Sequence, residues 1–380
     1  MYTVTRQLGG GTFGEVWLAT AASSGDCVAL KRCPVNEQDV RNSTSINVMC
    51  REYRFHCELK EHGSESGLYI NQLSEAFITH VRTCAERQTL HLNMVFPLAD
   101  LSLRDFFPTL HKSCEEQGST MLISQLCADM LLGLHALHAL GIAHRDVKPC
   151  NMLINRCGVR RGAPPRPVLC LCDLGAAKKL GGGGDGRDAP RQLSTPFIVS
   201  LPYRAPELLW GSICYGLAVD MWSAGCVAAE MFIASPLFYP TSEADMTFQV
   251  LSLLGAPTNA DLRGMRLPSR ALALLEDELG PFGALGLSSE RLAGNLPQPR
   301  VLLPHASIPR ALLTLPPTCP RVYAFLMHAP VSALSETAKC PLDIPAPAMQ
   351  LIVALLRFAP EARPTCEQAL RSCAFVRDAM

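Results

Sequence analysis

Three short segments constrain this chain more than anything else in it. His144-Arg145-Asp146-Val147-Lys148-Pro149-Cys150-Asn151 is followed by Cys172-Asp173-Leu174-Gly175 and then by Ala205-Pro206-Glu207. Upstream lie Leu8-Gly9-Gly10-Gly11-Thr12-Phe13-Gly14-Glu15-Val16, which contains G-x-G-x-x-G, and Val28-Ala29-Leu30-Lys31. Glycine lets backbone N–H groups approach an anion closely, and a lysine on an apolar strand needs a partner for its ammonium. Alone, the first reads as a glycine hairpin and the second as a solvated strand-edge lysine. The fixed order of all the segments is what argues against coincidence.

The surrounding pattern is mixed. Residues 2–33 alternate and break at glycine and serine like three antiparallel strands, covering 6–8, 15–20 and 27–31. From 42 to 60 the spacing of Met49, Glu52, Tyr53, His56 and Leu59 is helical, with Ser43, Thr44 and Ser45 as candidate N-caps. Segments 67–80 and 88–98 return to strand-like alternation, closing a first unit near residue 97. The rest reads as mostly helical, with loops at 158–167 and 181–190 and a Leu, Pro and Ala-rich stretch at 258–345 that has no clear period.

Composition excludes several classes. With 48% hydrophobic and 18% charged residues, the chain has the apolar content of a folded protein. Its 34 basic residues balance 34 acidic ones, so no polyanion-binding stripe suggests a nucleic-acid partner. Seventeen cysteines in 380 residues are an odd number and sparse for a disulfide scaffold, which points to a reduced cytoplasmic or nuclear compartment. The N-terminus lacks the layout of a signal peptide, and the apolar stretches 128–143 and 219–235 are too short and too polar to span a bilayer. They read as buried helices, with no membrane association expected.

The motif set resembles that of eukaryotic protein kinases. The resemblance implies an α+β, two-lobed kinase fold: a small antiparallel sheet plus one helix at 1–97, and a larger, mostly helical lobe at 98–380. It implies ATP and Mg²⁺ as cofactors. Leu8, Gly9, Gly11, Gly14, Val16 and Ala29 would surround the nucleotide, and Lys31 would hold its α- and β-phosphates. Asp173 and Asn151 would hold metal, while Asp146 would take the proton of the attacking hydroxyl. Glu52 is the candidate partner of Lys31, because it shares a helical face with Met49, Tyr53 and His56 while Glu58 lies elsewhere on the helix. Lys148 marks serine/threonine kinases, so protein Ser/Thr is the expected acceptor. Asp220 resembles the aspartate that braces the catalytic loop, and Arg363 the arginine that pairs with Glu207.

Within kinases, the run Val168-Leu169-Cys170-Leu171-Cys172-Asp173-Leu174-Gly175-Ala176-Ala177-Lys178 resembles the glycogen synthase kinase branch of the CMGC group. That branch binds a phosphate already present four residues after the target, in a pocket of three cations, which fall here on Arg51, Arg145 and Lys178. Substrates primed by another kinase are the implied partners. Phe197 stands at the family's activation-loop tyrosine, Leu201 at an arginine and Leu174 at the D-F-G phenylalanine. Ser194, Thr195 and Ser200 are candidates for phosphorylation and docking on the three cations. The hinge aligns with Phe96 as gatekeeper, adenine bonding the C=O of Pro97 and the N–H of Ala99. The rival readings are a pseudokinase scaffold and a CMGC kinase indifferent to priming. The presence of Lys31, Glu52, Asp146, Asn151 and Asp173 weighs against the scaffold.

Overall fold

Gly14 is a position that only glycine can fill. Its φ is +139°, and a Cβ there would lie 2.7 Å from the carbonyl oxygen of Arg32. This lets β1 (Tyr2–Gly11) turn back tightly on β2 (Gly14–Ala21), with Gly11 opposite Gly14. The computed structural model describes residues 1–11, 14–35, 44–63, 68–82, 88–112, 118–158, 166–180, 200–269, 271–272 and 344–378. The expectations for Ser194, Thr195, Phe197, the glycine run at 181–190 and most of 258–345 lie outside these residues.

The described residues fall into two compact units, Met1–Leu103 with Cys150–Ala177, and Arg104–Pro149 with Lys178–Met380. In the first, β3 (Cys27–Val35), β4 (Glu75–Arg82) and β5 (Gln88–Pro97) complete an antiparallel sheet of order β1-β2-β3-β5-β4. The helix α1 (Thr44–Glu61) carries a buried stripe of Met49, Glu52, Phe55, His56 and Leu59, set by helical spacing. Tyr53 does not share it: one residue on from Glu52 it is turned about 100° away and is 44% exposed.

Residues 68–74, expected as strand, are not part of β4. Asn71 N–H donates to the carbonyl of Leu171 and Ile70 bridges Leu171, so this segment pairs with the end of β9 (Arg166–Leu171) instead. The strands β6 (Leu101–Ser102), β8 (Met152–Gly158) and β9 form a second antiparallel sheet in the order β6-β8-β9. Arg166 and Pro167, expected in a loop, therefore begin a strand. The pairing of β6 with β8 also extends the first unit beyond residue 97.

The helix α2 (Leu103–Lys112) leads into the second unit. There α3 (Gly118–Ala139) is followed by β7 (Ile142–Ala143), which pairs with β10 (Lys178–Lys179). By length and composition α3 is apolar enough to cross a membrane, a longer apolar helix than the 128–143 stretch suggested. In the fold 67% of its most apolar window is buried. The short α4 (Pro206–Leu209) precedes α5 (Ala218–Ile233), which is buried from Val219 to Ile233 and forms the spine of the unit. Then come α6 (Glu243–Leu254) and α7 (Asn259–Gly264). The chain closes with α8 (Ala346–Leu355), α9 (Cys366–Ser372) and α10 (Ala374–Arg377). Gly225 on α5 lets α8 approach, since a Cβ there would lie 2.9 Å from Leu355 Cβ and 3.1 Å from Leu356 Cγ.

Candidate active site

In the first unit, β3 presents Lys31 and α1 presents Glu52. Lys31 Nζ donates to both Glu52 carboxylate oxygens at 2.8 Å and to Asp173 Oδ1 at 2.7 Å. Lys31 is 8% exposed and Glu52 1%. Burial alone would lower the lysine pKa, but the charges of Glu52 and Asp173 outweigh it and hold it well above the ordinary value. The result is a permanently charged ammonium between two carboxylates.

Asp173 follows β9 in the left-handed region, φ 60 and ψ 79, and its carboxylate accepts from Gly175 N–H at 3.3 Å. A non-glycine residue held there is strained, which the surrounding bonds must maintain. The backbone N–H of Cys172 donates to the carbonyl of Asn151 at 3.0 Å, so Asn151 lies at the same end of the β8–β9 ladder as Asp173. Burial raises the Cys172 thiol well above its ordinary pKa, leaving it protonated beside Asp173. One carboxylate and one amide oxygen are hard donors that suit Mg²⁺.

Phe96, the expected gatekeeper, is 9% exposed in a cluster with Cys33, Met49 and Met94, and packs edge-on against His56 at 5.2 Å between ring centroids. His56 lies one turn beyond Glu52. Among the described residues neither ring nitrogen has a hydrogen-bond partner, and burial followed by the Lys31 charge lowers its pKa to about 4. Sequence reading placed His56 on the right face but gave it no role. Val28 of β3 pairs with Pro97, whose carbonyl accepts from Asn71 Nδ2 at 3.4 Å. Ala29 is opposite Phe96, and Ala99 follows the end of β5. Leu8 and Gly9 lie on β1 and Val16, opposite Gly9, on β2.

The second unit holds Asp146 and Lys148. Lys148 Nζ is 2.7 Å from Asp146 Oδ2, and Ser200 Oγ joins them, donating to Asp146 Oδ1 at 3.0 Å and accepting from Lys148 at 2.9 Å. The loop is anchored from α5: Asp220, fully buried, accepts the backbone N–H groups of His144 and Arg145 at 2.8 Å each and a His138 Nε2 bond at 2.8 Å. Against the opposing effect of burial, these donors keep the Asp220 carboxyl below its ordinary pKa, and the Asp220 bond takes His138 up to about 10. His138 is therefore an imidazolium. It was not anticipated; its position before the His144 motif was the available signal.

Arg363 meets Glu207 in a buried two-pronged pair, both contacts 2.7 Å, and its guanidinium lies over Trp222. Of the three expected phosphate cations, Arg51 is in the first unit, where its Nη2 donates to the Gly175 carbonyl at 2.9 Å. Arg145 and Lys178 are in the second unit. Arg145 Nη1 donates to Tyr215 Oη at 2.8 Å, and Lys178 is paired with Ala143 in the β7–β10 ladder.

The protein kinase domain family matches residues 2–375. The chain is 32% identical to "Cyclin-dependent kinase 7" of Caenorhabditis elegans over 257 residues, 68% of this chain and 67% of that protein. It is 33% identical to "Glycogen synthase kinase 3" of Trypanosoma brucei brucei over 271 residues, 69% of this chain and 66% of that protein. The matched stretch thus spans about two thirds of each curated relative. Both are serine/threonine kinases of the CMGC group.

Proposed function

Since this chain belongs to the protein kinase domain family and is a CMGC-type serine/threonine kinase, we propose that it uses MgATP through the residues described above and prefers protein substrates that already carry a phosphate. The observation that carries the nucleotide reading is the Lys31 ammonium clamped by Glu52 and Asp173. A kinase ties its phosphate-holding lysine to a helix glutamate and its metal-holding aspartate must be in place at the same time.

Bound metal would neutralise charge on the phosphate oxygens, and Asp173 and Asn151 supply the hard oxygens that would hold it. Lys31 holds the α- and β-phosphates, with Glu52 keeping its side chain aimed. The glycine hairpin, from Leu8 and Gly9 through Gly11 and Gly14 to Val16, covers the nucleotide, and Pro97 and Ala99 meet adenine beside Phe96. Asp146 takes the proton of the acceptor hydroxyl, while Lys148 balances charge on the transferred group. The Ser200 hydroxyl, already donating to Asp146 Oδ1, occupies the orientation a substrate hydroxyl needs at that carboxylate.

Support for the primed preference is the identity of Arg51, Arg145 and Lys178, together with 33% identity to a glycogen synthase kinase. A second reading, a CMGC kinase without this preference, is favoured by the internal bonds Arg51 and Arg145 already make and by 32% identity to a cyclin-dependent kinase. Matched peptides with and without phosphoserine four residues after the target, incubated with protein and MgATP, separate the two. Faster turnover of the phosphorylated peptide is expected; equal rates remove the preference and leave the kinase intact. No turnover by wild type, or an Asp146→Asn variant indistinguishable from wild type, would refute the assignment of these residues. The cysteine usage supports a cytoplasmic or nuclear location, testable by fractionation.

A further inference from the structure

Arg145 is 4% exposed, and its backbone is fixed at φ 66 with its N–H held by Asp220. Among its contacts, Arg145 Nη1 donates to the Tyr215 hydroxyl at 2.8 Å. Tyr215 is half-buried in the loop between α4 and α5, flanked by exposed Cys214 and Gly216, with Ile213 43% exposed. In this bond Arg145 donates and the phenol oxygen accepts, so the phenol proton is left to donate. Among the described residues no acceptor takes it. A phenol polarised by a guanidinium is a strengthened donor, and bonds to charged acceptors exceed those to neutral ones.

We infer that Tyr215 is a specificity-determining residue of the anion site, its O–H donating to a phosphate monoester held by Arg145. This rests on the primed-substrate reading above. A phosphate monoester has three acceptor oxygens, enough for the arginine fork and the phenol together. A carboxylate has two, which the fork alone satisfies. Tyr215 therefore discriminates phosphoserine from glutamate at the priming position, a distinction that cations alone draw weakly.

The test uses full-length wild type and Tyr215→Phe with three peptides that differ only in Ser, Glu or phosphoserine four residues after the target. Wild type is expected to favour the phosphoserine peptide over both others. In Tyr215→Phe, kcat/KM for that peptide should fall about tenfold, mostly through KM, as for loss of one bond to a charged group. The Ser and Glu peptides, the ATP KM and the melting temperature should be unchanged. Wild-type preference that survives in Tyr215→Phe overturns the inference and leaves the primed reading standing. Equal loss on all three peptides with a lowered melting temperature also overturns it, making Tyr215 a packing residue. Wild type that treats all three peptides alike overturns the primed reading and this inference with it.

Discussion

Replacing Glu230 by glutamine tests a buried carboxyl whose ionisation the fold opposes. Glu230 is 4% exposed on α5, accepts the Tyr203 hydroxyl at 2.7 Å, and has its pKa raised from 4.5 to about 7, chiefly by burial and against the Tyr203 bond and the Arg104 charge. Unfolded, the group loses its proton near its ordinary value; folded, it keeps it to about neutrality. Between those values the native state binds more protons, so stability is full at low pH and falls as pH rises through the folded value. Each unit of pKa difference corresponds to about 1.4 kcal/mol, so the penalty approaches about 3 kcal/mol above neutrality. Glutamine keeps an acceptor for Tyr203 and has no proton to lose. Thermal denaturation of both proteins from pH 5 to 8 should show Glu230→Gln gaining about 2–3 kcal/mol on wild type across that range. For a chain of 380 residues this corresponds in melting temperature to a divergence of about 2–4 °C. A difference that stays flat with pH would refute the argument, because only the carboxyl differs in protonation.

Three other substitutions have defined outcomes. His56→Met removes an imidazole with both nitrogens unpartnered and should raise stability by about 1–3 kcal/mol in a thermal melt. Because the folded His56 pKa is about 4 against 6.5, wild type alone should lose stability from this group as pH falls between those values. Asp146→Asn should lower kcat by ~10²–10⁴ in a peptide assay with little change in melting temperature. Gly225→Val places side-chain carbon where a Cβ already comes within 2.9 Å of Leu355, and should cost about 1–3 kcal/mol by denaturant titration.

Local periodicity made several parts of this fold legible. The glycine hairpin, the strand of Lys31 and the inward turn of Glu52 follow from alternation, from positive φ at glycine and from helical spacing. Tyr53 was misplaced because an aromatic ring one residue from Glu52 reads as core, although the helix turns it outward to 44% exposure. Residues 68–74 alternate like a strand, yet their pairing with Leu171 depends on a segment far along the chain, which no local pattern encodes. The same holds at the site. The motif named Asp146 and Lys148, but Ser200 bridging them and Tyr215 meeting Arg145 are tertiary facts. His56 in an apolar stripe carries no mark in the sequence that its nitrogens end up unpartnered.

The grouping of Cys150–Ala177 with Met1–Leu103 means that the polypeptide passes from one unit to the other three times, after Leu103, Pro149 and Ala177. The middle passage cuts the signature His144–Asn151 itself, leaving Asp146 and Lys148 to one unit and Asn151 to the other. No single cut can therefore release either unit as a continuous fragment. A product ending at residue 97 would lack β6, β8 and β9 and the Asp173 that Lys31 holds, and would leave that ammonium with one carboxylate instead of two. Expressing the first unit alone would need an engineered linker from Leu103 to Cys150 in place of Arg104–Pro149, because even joining the native termini leaves the two units alternating along the chain.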